Sequence, residues 1–323
     1  MSVPPIGVLS VSWRSAVLLR DLFANLRALA DHPDALRLWV ADNTAGTDQE
    51  VVALDFPALT VVPVDVQGAQ MSVAHAAGLN ALLSRVDAEV PYILTADPDV
   101  AVLQRGWDTT LRRALETQDV VAVGAPYPPW KIGKYHDFPS PPFALWRAEA
   151  LRALSPDWQP YARTTARRAL DFVLRQTFWP AKLLDRVVWR PPRRQFRAAR
   201  RWERFAGVVS KDTGWEIAAR ARQRGWRAEC FEVIDSPDHN VLLAADPQES
   251  YRALAAVFEL YAWEGRPFVP HRNSTRTRIC MNLWIHHNIL IYQDQTDTAA
   301  QTARWREYVS AVLSEALLPN REA

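Results

Sequence analysis

The most chemically pointed stretch of this 323-residue sequence is Asp97-Pro98-Asp99. It comes directly after Tyr92-Ile-Leu-Thr-Ala96, an apolar run that reads as a buried strand. Two carboxylates one residue apart beyond a strand can share one hard cation. Mg²⁺ or Mn²⁺ suits them, because such ions take oxygen ligands and bridge to substrate phosphates. Polar groups also stand at the ends of neighbouring apolar runs. Ser12 closes the first, and Asp42 closes Leu36-Arg-Leu-Trp-Val-Ala-Asp42 just before the turn-prone Asn43-Thr-Ala-Gly46. Taken singly these are weak signals. An Asp-x-Asp is often a solvated turn whose carboxylate caps the next segment, and Asp42 with Asn43 could be a plain turn former.

The elements that must position these groups are set by apolar periodicity. Strands are expected at 6–12, 36–42, 59–64, 92–96 and 120–125. Helices are expected from Ser15 through Leu29, over 73–83 and over 106–117. Strands separated by helices of this length make a mostly parallel sheet with helices on both faces. In such sheets ligands gather at the carboxyl ends of the strands, where Ser12, Asp42, Asp97 and Asp99 fall. No Gly-x-Gly-x-x-Gly stands after the first strand, and no phosphate-binding Gly-x-x-x-x-Gly-Lys-Ser/Thr occurs anywhere. After Pro126 the pattern changes. Pro128, Pro129, Pro139, Pro141 and Pro142 read as loop, with a short strand at 143–146 and a helix at 148–154. A helix at 212–224, stopped by Gly225, and a strand at 228–233 complete the α/β unit. Helical patterns at 250–263 and 298–318 suggest a helical C-terminal extension.

Composition narrows the classes. Hydrophobic residues are 49% and charged residues 23%, which excludes general disorder. No run of about 20 apolar residues could span a membrane, and the start has no secretory pattern. Two cysteines, Cys230 and Cys280, make neither a disulfide framework nor a zinc site, so a reducing cytosol is expected. The net charge of +2 is uneven: residues 163–204 carry +10 and the remainder −8. That basic stretch also holds Phe172, Phe178, Trp179, Trp189, Phe196 and Trp202. Arginines on one face and aromatics on the other could meet an anionic bilayer or a phosphorylated acceptor, or form a solvated hairpin. No nucleic-acid-binding motif accompanies them, so nucleic acid is not expected as a partner.

In their order, four motifs resemble those of GT-A glycosyltransferases, closest to the family 2 type. They are Val8-Leu-Ser-Val-Ser12; Val40-Ala-Asp-Asn43 with Gly46-Thr-Asp48; Tyr92 through Val100; and Lys211-Asp-Thr-Gly-Trp-Glu216 with Arg224-Gly-Trp-Arg-Ala228 after it. The resemblance covers residues 6–240. It implies a GT-A-like, Rossmann-like α/β domain over 1–240 with the basic insertion at 163–204, and a helical extension over 241–323. It also implies a nucleotide-sugar site at Ser10, Ser12, Asp42, Asn43, His75, Gly78, Asp97 and Asp99. Asp99, Asp97 and His239 would be metal ligands for Mn²⁺ or Mg²⁺, and Asp212 the general base. Three positions depart from the family pattern: Lys211 where an acid is usual, Gly214 likewise, and His75-Ala-Ala-Gly78 for Arg-Asn-x-Gly.

The resulting expectation is an inverting, metal-dependent glycosyltransferase taking a nucleotide-diphosphosugar donor and a glycan, lipid-linked or small-molecule hydroxyl acceptor. It would be cytoplasmic, peripheral at the inner membrane face if the basic stretch docks there, with the C-terminal helices able to supply a homodimer face. Two alternatives stand beside it. One is a sugar-phosphate nucleotidyltransferase, which shares the sheet type but normally shows a Gly-rich basic loop where Ser12-Trp-Arg-Ser15 stands. The other is a non-catalytic nucleotide-sugar-binding module, a reading that draws on Lys211 and Gly214.

Overall fold

A computed structural model of the chain describes residues 3–69, 71–102, 105–127, 133–162, 164–177, 201–202, 205–209, 211–233, 259–262, 278–281, 306 and 310. Along it run β1 (Ile6–Ser12), α1 (Ala16–Leu29), β2 (Leu36–Asp42), the single turn α2 (Gln49–Val52), β3 (Leu59–Pro63), α3 (Met71–Leu83), β4 (Tyr92–Ala96), β5 (Val100–Val102), α4 (Trp107–Ala114) and β6 (Val120–Pro126). Then come β7 (Pro139–Arg147), α5 (Ala148–Ala153), α6 (Thr165–Gln176), α7 (Trp215–Gln223), β8 (Arg227–Cys230), β9 (Glu232–Val233), β10 (Glu259–Ala262) and β11 (Arg278–Met281).

Seven strands form the main sheet in the order β3-β2-β1-β4-β7-β6-β8. Every pairing is parallel except those of β7, which runs antiparallel to both β4 and β6. This is the mostly parallel, helix-flanked architecture that the apolar periodicity led us to expect. Chain order reverses between β1 and β4, which opens the strand-tip crevice where ligands bind in such sheets. Register puts Ser12 opposite Asp42 at the ends of β1 and β2.

Alternation along the strands builds two apolar layers. On one face Ile6, Val8, Leu38 and Leu94 pack with Leu19, Leu22, Phe23 and Leu26 of α1. On the other, Leu9, Val11, Trp39 and Ile93 pack with Ala76, Leu79 and Leu82 of α3. Each buried Val, Leu, Ile or Phe among these stabilises by roughly 1.5–3 kcal/mol. The approach of α3 is close: a Cβ on Gly78 would lie 2.8 and 2.9 Å from the Val11 methyls and 3.1 Å from the Ala41 Cβ. α1 also grips β5, the strand just beyond Asp99. Asn25 donates through Nδ2 to the Val102 carbonyl at 2.9 Å, and its Oδ1 accepts the Val102 N–H at 2.8 Å.

Three local expectations are corrected. The 139–142 prolines do not break the chain into loop; they begin the nine-residue β7. They fit because β4 pairs β7 only from Phe143 onward, so no β4 ladder donor is needed from them, while the Pro142 carbonyl accepts Asp97 N–H at 2.9 Å. The helix expected from residue 212 starts at Trp215, after Gly214 at φ 75°. In the C-terminal part, 259–262 is the strand β10 rather than helix. It pairs antiparallel with β9 and β11, and β11 pairs with β5. Within 298–318 the described residues Arg306 and Ser310 are helical, and Arg306 ion-pairs Asp21 of α1 at 2.6 Å. Among the described residues no helix is long and apolar enough to cross a membrane.

Candidate functional site

The strand tips divide the expected site residues into those that face one space and those that serve their own loops. Asp42 belongs to the second group. Its Oδ1 accepts from Thr44 N–H at 2.9 Å and Thr44 Oγ1 at 2.7 Å, and its Oδ2 from Gly46 N–H at 3.0 Å. It is fully buried, so in this structure its carboxylate shapes the loop after β2. Ser12 Oγ likewise accepts the Ser15 N–H at 3.2 Å. Ser10 alternates with Leu9 and Val11 and so faces the α1 layer, fully buried and away from the tips. Gly78 faces Val11 and Ala41, which gives it a packing role. Asn43 bridges the tip of β2 to α3 by donating to the Ala74 carbonyl at 2.8 Å, one residue before His75.

His75, Asp97 and Asp212 come together. His75 Nε2 lies 3.2 Å from Asp97 Oδ1. Burial alone would lower the His75 pKa, but the Asp97 charge and hydrogen bond, with the Asp212 charge, raise it overall. One imidazole thus feels a carboxylate from the β4 tip and another from the loop before α7. Asp99, two residues beyond Asp97 in the same loop, is also buried, at 2% exposure against 4% for Asp97.

Asp212 is held by several donors. Lys134 Nζ donates to its Oδ2 at 2.6 Å, Ser72 Oγ of α3 to its Oδ1 at 2.6 Å, and Thr213 N–H to Oδ1 at 2.9 Å. Burial alone would raise its pKa, yet the Lys134 ammonium and these hydrogen bonds hold it well below the usual carboxylate range. The helix terminus is not the cause, since Asp212 precedes α7 by three residues and Gly214 is the cap. Tyr127 lies in the same cluster. Its phenol is driven well above its ordinary pKa by burial, then by the charges of Asp212, Tyr135 and Asp97 and a hydrogen bond with Asp212. Lys134 Nζ sits 4.9 Å from the Tyr127 ring centre.

The donor set at the β4 tip suits a divalent ion shared with a ligand. Asp97 and Asp99 offer hard oxygens in a buried loop, and Mg²⁺-type ions commonly take one or two carboxylates and complete their shell from substrate phosphates and water. An all-protein cage is not what these residues make: among those described, no group of three His, Cys, Asp or Glu is placed to hold an ion. His239, the third expected ligand, lies outside the described residues. So does most of the basic aromatic stretch. Its described helix, α6, exposes Leu170, Phe172 and Val173 at 46, 63 and 57%.

Four residues of this region escaped sequence reasoning: Lys134, Ser72, Tyr127 and Asn25. One signal was present for the first. Only four lysines occur against 34 arginines, and two of those lysines, Lys134 and Lys211, flank Asp212 in space or in sequence.

No protein-family model matches the chain, and no curated protein matches it. Solved structures do. A mannosyltransferase, PcManGT, from Pyrobaculum calidifontis in complex with GDP-Man and Mn²⁺ is 14% identical at a TM-score of 0.38, over 99% of this chain and 88% of that one. S. aureus TarS 1-349 in complex with UDP-GlcNAc is 13% identical at a TM-score of 0.33, over 48% of each chain. A 4-diphosphocytidyl-2C-methyl-D-erythritol synthase from Anaerococcus prevotii is 12% identical at a TM-score of 0.31, over 47% of this chain and 74% of that one. At this level of likeness it is strand order and register, not the neighbours, that define the fold.

Proposed function

We propose that the chain is a glycosyltransferase that moves a sugar from a nucleotide-diphosphosugar to an acceptor hydroxyl with inversion. The carrying observation is that carboxylates from two separate motifs, Asp97 and Asp212, act on one imidazole, His75. A leaving-group side and a base side therefore adjoin.

In this reading Asp97 and Asp99 would hold Mg²⁺ or Mn²⁺, which when bound supplies charge neutralisation to the diphosphate. His75 keeps Asp97 oriented. Asp212 takes the proton from the acceptor hydroxyl as that oxygen bonds to the anomeric carbon. The bond from that carbon to the diphosphate oxygen breaks, and its electron pair leaves with the nucleoside diphosphate. Ser72 and Thr213 fix the Asp212 carboxylate so that its geometry is set before the acceptor arrives. The nucleobase would lie over the loops after β1 and β2, where Trp13 is 44% exposed. The apolar face of α6 and its arginines are the surface for an acceptor or an anionic bilayer. Salt-sensitive binding to anionic liposomes distinguishes the bilayer.

The test is release of nucleoside phosphate from UDP-, GDP-, dTDP- and CMP-linked sugars in Mn²⁺, with wild type, Asp99→Ala and Asp212→Asn. Slow donor hydrolysis by wild type, lost in Asp99→Ala, is expected. Asp212→Asn should slow transfer to an acceptor by orders of magnitude. Normal metal-dependent turnover by Asp99→Ala would remove the metal assignment. No release from any donor would return the reading to a binding module.

A further inference from the structure

The base assigned to Asp212 is, in this structure, covered. A carboxylate that is to take a proton needs an accessible lone pair, and a close ammonium lowers its basicity. Both Ser72 and Thr213 donate to Oδ1, whereas Lys134 alone among these three donates to Oδ2. Departure of Lys134 would therefore remove the ammonium from Oδ2 and leave Asp212 with neutral donors alone, Ser72 and Thr213 on Oδ1 and the Tyr127 phenol. Lys134 and Asp212 are largely shielded, at 14 and 27% side-chain exposure, so their attraction is stronger than that of a surface pair.

Lys134 is also linked through Tyr127 to the side on which the proposed function puts the leaving group. Its Nζ lies alongside the ring of Tyr127, a residue on which the charges of both Asp212 and Asp97 act. A diphosphate held near Asp97 and Asp99 brings more negative charge than one carboxylate. Lysine is a compact charge on a flexible stem and adapts to a new anion without a fixed geometry.

We propose that Lys134 exchanges partners: it holds Asp212 before the donor binds and moves to the diphosphate when the donor arrives, so the base is released only in a donor-loaded enzyme. This rests on the transferase reading above. The acceptor, or water, then meets an active base only when there is a sugar to transfer. Lys134 is on this account both a leaving-group contact and the lock on the base.

The exchange has a consequence for binding that turnover does not enter. Nucleoside diphosphate must compete with Asp212 for Lys134. Calorimetric titration of UDP and GDP in Mn²⁺ into wild type, Asp212→Asn, Lys134→Gln and the double variant measures that competition. Asp212→Asn should bind the diphosphate about two- to tenfold more tightly than wild type, within the range for coupled side chains. In the Lys134→Gln background the same substitution should change affinity distinctly less. An equal factor in both backgrounds, which simple loss of a repelling charge would give, overturns the exchange. So does unchanged or weaker binding by Asp212→Asn. A second comparison uses only Lys134→Gln: it should weaken nucleoside diphosphate much more than the free nucleoside, and equal losses overturn the proposal even if Asp212→Asn does not fold. If wild type binds no nucleoside diphosphate at all, the transferase reading itself falls, a result distinct from either of these.

Discussion

Asn25 is far from Asp99 in sequence and yet decides where the strand after it lies. Its amide closes a two-bond ring with Val102, one bond in each direction. Val102 is fully buried and opposite Ile279 of β11. Asn25→Ala removes both partners at once and leaves a buried N–H and a buried carbonyl. Each orphaned group costs about 1–3 kcal/mol, and partial relaxation brings the pair to about 2–4 kcal/mol. At roughly 2 °C per kcal/mol for a chain of this size, the melting temperature should fall by about 4–8 °C. Asn25→Asp separates the two bonds: the carboxylate can still accept from Val102 N–H but turns a lone pair toward the Val102 carbonyl. Its loss should match or exceed that of Asn25→Ala. Because Val102 is three residues beyond Asp99, the metal-dependent nucleoside diphosphate affinity proposed above should weaken in both variants at temperatures where they remain folded. Thermal unfolding and calorimetric titration check the two halves. A melting temperature within 1 °C or so of wild type, with unchanged affinity, would refute the clamp.

The packing of α3 and the charge on Asp212 each carry a further expected outcome. Gly78→Ala gains roughly 0.8–1 kcal/mol of helix propensity but drives a methyl into stiff Val11 and Ala41 at under or near 3 Å, an overpacking cost of about 1–3 kcal/mol. The net should be a loss that Val11→Ala partly relieves in the double variant; a stabilised Gly78→Ala would mean that α3 stands farther from the sheet. Asp212 titrates below its ordinary range in the folded chain, so its stabilisation is present above the unfolded value of about 3.9 and is lost as pH falls toward the folded one. In urea unfolding between pH 5 and pH 2, the stability difference between wild type and Asp212→Asn should therefore shift against wild type with acidification. A difference that stays constant would sink the assignment of that carboxylate to the lysine pair.

Periodicity and strand ends made much of the fold legible in the sequence. β1, β2 and β4 announce themselves as apolar runs closed by polar residues, and the sheet then dictates that Ser12, Asp42, Asp97 and Asp99 share one edge. It does not dictate where each side chain turns. Asp42 spends both oxygens on Thr44 and Gly46, a choice made by a loop with no period to read. Lys134 was hidden for a related reason. It lies in the proline-rich stretch between β6 and β7, where pattern is silent, and it reaches Asp212 across 78 residues. The β7 prolines misled because strand propensity penalises a missing donor, and only pairing shows that no β4 donor was needed there. At 259–262 a short apolar segment inside a longer helical pattern is strand, an ambiguity that period alone does not resolve over so few residues.

The three departures from the family pattern bear directly on whether the chain kept its chemistry, and each has a physical reason that leaves Asp212 in place. Lys211 turns from the strand tips toward α6, where it ion-pairs Asp171 and lies 4.6 Å from the Trp215 ring centre. Its charge is thus paired with α6, and the ammonium that acts on Asp212 is that of Lys134. Gly214 stands where an acid is usual, but its backbone is at φ 75°, and a Cβ there would meet the Trp158 ring at 2.8 and 2.9 Å. Packing against that indole requires glycine, and an acidic side chain could not enter. His75 stands where an arginine is usual and still brings a ring nitrogen to Asp97 at 3.2 Å, its pKa lowered by burial but raised overall by the Asp97 charge and hydrogen bond. On the proposed reading, a mere binding module would have no use for residues that fix the Asp212 carboxylate. Here Ser72 and Lys134 reach that one carboxylate from distant segments, and the adjoining Thr213 N–H adds a third bond.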